Sequence, residues 1–155
     1  MTPGHFTSLV CQDNAGETDL VIIDSLNGYI HAMPEQDFLI LQLHELLAFL
    51  GNRGVVTLFI LSQAGIMGTM QTPLDLTYIA DCVMLTRFFE AFGQVKKAIS
   101  VIKKRTGAHE GGLRELKIGP GGVIVGSVLD EFSGIFTGVP VFNGGKNKIL
   151  KEAND

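Results

Sequence analysis

Two short apolar runs constrain this chain more than any other feature: DLVIID at residues 19–24 and VVTLFIL at residues 55–61. Each reads as a buried strand. Between them Pro34 opens a helix, because proline fits a first helical turn. Phe38, Leu39, Leu41, Leu43, Leu46, Leu47 and Leu50 then form a broad apolar stripe, and Gly51 ends it. Strand, helix and strand within about forty residues make a βαβ unit, so the two strands are expected to run parallel and to be buried. In such sheets ligands gather at the carboxyl ends of the strands. The first run ends in Asp24 and the second is followed by Ser62-Gln63, so these polar residues are expected side by side at one edge.

Beyond Gln63 the pattern changes. Residues 64–73, AGIMGTMQTP, read as a mobile loop, and residues 74–80, LDLTYIA, as a short helix. The segments 82–89, 95–104, 113–118 and 123–125 alternate with glycine-bearing turns at Gly93, Gly107, Gly111-Gly112 and the GPGG of 119–122. That is an antiparallel meander. The fold class is therefore α/β: a partial sheet with a parallel βαβ core, followed by an antiparallel β meander. One domain is expected over residues 1–145, with a polar tail over 146–155. Residues 1–14 lack a strong pattern, although a helix near 5–12 is compatible with it. Asn27-Gly28 reads as a turn after the first strand.

The 155 residues suffice for one domain with a sizeable core. At 46% hydrophobic and a mean hydropathy of +0.30, either the sheet is covered on both faces or part of the surface expects a partner. The apolar runs are too short to span a bilayer, and the amino terminus lacks a basic start followed by an apolar block. Cys11 and Cys82 are too few for a disulfide framework or a zinc site. Both read as reduced, Cys82 as core, and the protein as cytoplasmic and away from membranes. The net charge of −4 conceals a polarity. Residues 1–95 carry ten acidic and two basic side chains, whereas residues 96–117 carry seven basic and two acidic. One half of the chain could thus attract the other, or the other half of a neighbouring copy.

An apolar strand ending in aspartate is the metal-holding half of many nucleotide sites, where the carboxylate positions Mg²⁺ and the ion bridges phosphates. The plainer reading of Asp24 is a cap on the following turn through Ser25 or Asn27. The partner motif of a nucleotide site, G-x-x-x-x-G-K-[ST], does not occur in the chain. Residues 140–147, PVFNGGKN, approach it but have proline and asparagine where glycine and a hydroxyl are required. A third feature is VIKKRTGAHE at 101–110. A strand there delivers Lys103 and Arg105 to one face, where two cations can clamp phosphate, and His109 follows on a glycine-softened turn. A solvated basic edge strand and a nucleic-acid patch are the alternatives. Against the latter, aromatic residues are not interleaved with these charges and the chain as a whole is acidic.

From about Pro3 to Phe142 the chain resembles the KaiC family of RecA-like ATPases. Residues 19–29, DLVIIDSLNGY, look like that family's Walker B strand. Residues 58–63, LFILSQ, look like the next strand with its polar sensors. Residues 103–115, KKRTGAHEGGLRE, look like its K-x-R finger followed by histidine and then R-E. The resemblance implies that Asp24 positions Mg²⁺ with Ser25 beside it, and that Gln63 senses the γ-phosphate. It implies that Lys103 and Arg105 reach ATP on the adjacent subunit of a ring, acting catalytically, with His109 near the ribose or base. Some members phosphorylate a Ser-Thr pair before the aspartate matching Asp81; here the pair is Thr77-Tyr78. The phosphate-cradling segment lies upstream in the family, so the chain looks like the C-terminal two-thirds of one such domain.

The expectation is an ATP- and Mg²⁺-binding module of a self-associating, KaiC-like ATPase, without activity on its own. A pseudo-ATPase module for oligomerisation or signalling, contacting a regulatory protein, is the alternative. RecA-like DNA binding ranks below both.

Overall fold

The computed structural model describes residues 3–13, 18–31, 36–62 and 76–144. The chain forms two compact units, residues 1–62 and 63–155.

The first unit contains α1 (Pro3–Asp13), β1 (Leu20–Asp24), α2 (Leu26–His31), α3 (Gln36–Asn52) and β2 (Val56–Ile60). β1 and β2 pair in parallel, with Leu20 opposite Val56, Ile22 opposite Leu58 and Asp24 opposite Ile60. The βαβ reading therefore holds in direction and connection. The buried side of α3 is narrower than its apolar content: Leu39, Leu43, Leu46 and Leu50 are inside, while Phe38 and Leu41 are exposed. Spacings of four, three and four residues keep those leucines on one stripe, and Phe38 and Leu41 fall off it. Leu46, Leu50 and Val55 form a cluster against which Val10, Val21, Ile23 and Phe49 pack.

Because side chains alternate along a strand, burying Val21 and Ile23 turns Leu20 and Ile22 outward. They are 51% and 54% exposed, and Val56, Leu58 and Ile60 share their exposed face. The strands are thus covered on one face rather than on both. Gly51 does not end α3 but lies within its last turn. The stop is Gly54, at φ 75°, with Gly54 N–H donating to Gly51 O and Val55 N–H to Leu50 O, each at 3.0 Å. This is a Schellman closure, and the Leu50–Val55 contact supplies its apolar clasp. Asn27-Gly28 is likewise no turn between elements; both residues belong to α2. Pro34, as a helix opener, lies outside the described residues.

The second unit holds β3 (Cys82–Ala91), β4 (Gln94–Lys104), β5 (Arg114–Gly119) and β6 (Gly122–Val128), paired antiparallel in that order. The meander is as expected. Two features were not anticipated: a hairpin of β7 (Phe132–Ser133) with β8 (Val141–Phe142), and a hydrogen-bonded turn at 76–80 where a helix was expected. Phe89, Ala91, Ala98 and Ile135 form this unit's core, joined by Leu113, Leu129, Phe132 and Phe136. The buried Arg87 guanidinium donates to Phe136 O at 2.7 Å. Cys82 begins β3 but is exposed, because it falls on the outward side of the strand's alternation. The loop at 64–73 and the tail at 146–155 lie outside the described residues. Among the described residues no helix is long and apolar enough to cross a membrane.

Candidate functional site

In the first unit, Asp24 is the last residue of β1 and projects to the same exposed face as Leu20 and Ile22. The peptide bond from Asp24 to Ser25 is cis. Among the described residues, none donates a hydrogen bond to the Asp24 carboxylate, so Asp24 does not cap the following turn through Ser25 or Asn27. Ser25 instead accepts from Gly28 N–H through its carbonyl at 3.3 Å. Asn27 reaches the other strand. Its Nδ2 donates to Ser62 O at 2.7 Å, and Ser62 N–H donates to Asn27 Oδ1 at 2.7 Å. An asparagine amide offers a donor and an acceptor side by side, and here both engage Ser62, beyond the end of β2. The polar ends of the two strands are thereby fixed at one edge, as expected of Asp24 and Ser62. Gln63 lies outside the described residues.

Asn27 before Gly28 reads as local turn chemistry, and its actual partner is 35 residues away. No periodicity in the sequence points to that pairing. The only signal is that an amide shortly after a strand can serve both backbone groups of one residue beyond the neighbouring strand.

In the second unit, Lys103 and Arg105 do project to the same side, and both meet the segment 77–81. Lys103 Nζ donates to Thr77 O at 2.6 Å. Arg105 forms an ion pair with Asp81 at 2.8 Å, and its Nη2 donates to Tyr78 O at 3.4 Å. Arg105 N–H also donates to Asp81 O at 2.7 Å, carrying the β3–β4 pairing past Lys104. Lys104 reaches Ala108 O at 3.4 Å. His109 is exposed in the irregular segment between β4 and β5. The remainder of the motif is structural. The Arg114 guanidinium bonds Glu110 Oε1 at 2.7 Å and Gly126 O at 2.9 Å, while Glu115 pairs with Lys96 and Lys117 at 3.6 Å each.

Among the described residues no group of three or more His, Cys, Asp or Glu side chains is gathered as a metal cage. A lone exposed carboxylate still fits Mg²⁺, which keeps most of its waters and takes one or two carboxylates beside substrate phosphates.

The family model for "ATPase: KaiC" matches residues 10–129, well over half of the chain. The chain belongs to the KaiC family of ATPases. Its fold is accordingly RecA-like, and the KaiC match runs from α1 through β6, ending before the β7–β8 hairpin. Among curated KaiC proteins, the circadian clock protein KaiC3 of Synechocystis sp. is 26% identical over 98 residues, which are 63% of this chain and 19% of that protein. The circadian clock oscillator protein KaiC of Acaryochloris marina is 30% identical over 69 residues, 44% of this chain and 13% of its own length. That of Thermostichus vulcanus is 32% identical over 69 residues, with the same shares. The aligned segments thus span less than a fifth of these KaiC relatives.

Proposed function

We propose that the chain is an ATP-binding module of a KaiC-family ATPase that works at the subunit interfaces of a ring. In this reading Asp24 holds Mg²⁺ with Ser25 beside it, and Gln63 senses the γ-phosphate. Lys103 and Arg105 act on ATP held by the adjacent subunit, with His109 toward the ribose or base. The observation that carries it is the shared polar edge, where Asp24 ends one parallel strand and Asn27 fastens Ser62 beyond the other. Mg²⁺, when bound, supplies charge neutralisation across the phosphates. The chain's own residues orient: one carboxylate at the edge, and two cations on one side at the end of β4, Lys103 within the strand and Arg105 just past it. The G-x-x-x-x-G-K-[ST] segment is not in the chain, and positioning of the phosphates is most of what such catalysts do. The chain by itself is therefore expected to turn ATP over very slowly or not at all.

Calorimetric titration with Mg²⁺ and a non-hydrolysable ATP analogue, repeated with Arg105→Ala, tests this reading. Micromolar binding that the variant loses would support the finger and assembly of copies around the nucleotide. No detectable heat would sink nucleotide binding by this chain.

A second reading, an oligomerisation module without ATPase activity, is favoured by the outward aliphatic face of Leu20, Ile22, Val56, Leu58 and Ile60. Exposed apolar patches of this kind mark interaction surfaces. A monodisperse monomer at high concentration would count against it.

A further inference from the structure

The two cations of the proposed finger already have partners. Lys103 Nζ is on Thr77 O, and the Arg105 guanidinium is on the Asp81 carboxylate and Tyr78 O. We propose that Asp81 determines which anion this pair accepts: it is an internal counter-charge to Arg105 that a polyphosphate displaces and a small anion does not. The proposal rests on the reading of Lys103 and Arg105 as phosphate-binding residues.

The Arg105 and Asp81 side chains are 54% and 79% exposed. An ion pair so open to water is screened and opens readily, so Asp81 holds Arg105 without locking it. An entering anion must nevertheless do better than the carboxylate it replaces. One carboxylate exchanges like for like at the guanidinium, and one sulfate brings a second charge but is too compact to trail a chain of further charges toward Lys103; either gives up its own freedom of motion in binding. A chain of phosphates brings several charges, offers oxygens for a bidentate grip on arginine, and extends to Lys103, whose partner among the described residues is a neutral carbonyl. Asp81 also repels any anion that arrives, which raises the threshold further.

The exchange has a structural consequence. Segment 77–81 is held by these side-chain contacts, by Ile79 N–H and Ala80 N–H on Leu76 O at 3.2 and 3.3 Å, and by the Arg105 N–H bond to Asp81 O. Polyphosphate binding removes the Lys103 and Arg105 side-chain contacts and leaves these backbone bonds in place. Binding therefore loosens the Thr77-Tyr78 turn, and by thermodynamic reciprocity a looser turn binds polyphosphate more tightly.

The test is titration of the chain with inorganic tripolyphosphate in the absence of Mg²⁺, followed by amide resonances and calorimetry, with sulfate as comparator. Wild type, Asp81→Asn and Arg105→Ala are compared after circular dichroism has established that each is folded. Tripolyphosphate is expected to bind wild type and shift the amides of residues 77–81. Asp81→Asn should bind roughly two- to fivefold more tightly, the size of an exposed ion pair, and Arg105→Ala should lose binding. Wild-type binding with no gain in Asp81→Asn overturns the counter-charge role and leaves the nucleotide reading standing. Sulfate binding as tightly as tripolyphosphate overturns the selectivity. Absence of tripolyphosphate binding in both wild type and Asp81→Asn also overturns the inference, while the Mg²⁺–nucleotide titration judges the parent reading independently.

Discussion

Asn27 spends both functions of one short amide on a single backbone residue, the N–H and C=O of Ser62. Truncation to alanine removes both bonds at a surface-accessible edge, so Asn27→Ala is expected to cost about 1–2 kcal/mol in urea denaturation. Asn27→Asp keeps the acceptor but sets a carboxylate against Ser62 O. It should be worse than alanine near neutral pH and recover once acid protonates it. Indistinguishable stabilities for the three proteins would refute the clamp. Tyr29, two residues on, carries a pH signature. Burial pushes its phenol above the ordinary 10.0, the Thr7 side chain pulling the other way, and its hydroxyl lies 3.2 Å from Gln42 Oε1. The raised value favours the neutral phenol in the folded state. Its stabilisation is complete below 10.0 and is lost as pH rises through the folded value. Tyr29→Phe should therefore show a shallower loss of stability above that pH; an unchanged profile would exclude the linkage. At this scale legibility depended on distance along the chain. Asp24 and Lys103-x-Arg105 stand out because their meaning is local to a strand end or a strand face. The roles of Asn27 and Asp81 were invisible, since each is defined by a partner brought in by tertiary structure.

The end of α3 separates two glycines that look alike in the sequence. Gly51 lies in helical backbone, and a Cβ added there would meet nothing within 4 Å; Gly54 has φ 75° at the Schellman position. Gly51→Ala is expected to stabilise by about 0.5–1 kcal/mol, since alanine is the better helix former and loses less freedom on folding. Gly54→Ala places a side chain in left-handed backbone and should destabilise by about 1 kcal/mol. Opposite signs in paired thermal melts are the expected result, and equal signs would mean the helix ends elsewhere. Gly51 reads as the stop because it follows the last leucine of the stripe, whereas the closure needs three more residues to bring Val55 back onto Leu50. Long periodic elements were legible: the parallel pair and the four-stranded meander follow from apolar runs and the glycines between them. Two-residue strands such as β7 and β8 have no period to read. They are held by packing, with Phe132 and Phe142 at 5.1 Å between ring centroids.

At the scale of the whole chain, the high apolar content left two choices, a sheet covered on both faces or a surface awaiting a partner. The outward side chains of β1 and β2 point to the second. Asp24 shares that face with Leu20 and Ile22, so a copy or partner settling on the aliphatics also approaches the carboxylate. Two driving forces for self-association then make different predictions. Attraction between the acidic residues of 1–95 and the basic residues of 96–117 is screened by salt, over a Debye length of about 8 Å at physiological ionic strength. Association through the aliphatic face is insensitive to moderate salt and is weakened by a charge placed on the face. Leu58, opposite Ile22 and exposed, is the position to change. If the face carries association, Leu58→Lys should shift sedimentation equilibrium toward monomer at every salt concentration. It should also leave the urea midpoint nearly unchanged, because the side chain already stands outside the α3 packing. If charge polarity carries it, the variant should associate like wild type and both should dissociate as salt rises. Coupling to Asp24 gives an independent readout. Under the first outcome, Mg²⁺ or Asp24→Asn should alter the association constant, since either changes the cost of bringing a carboxylate against an apolar partner.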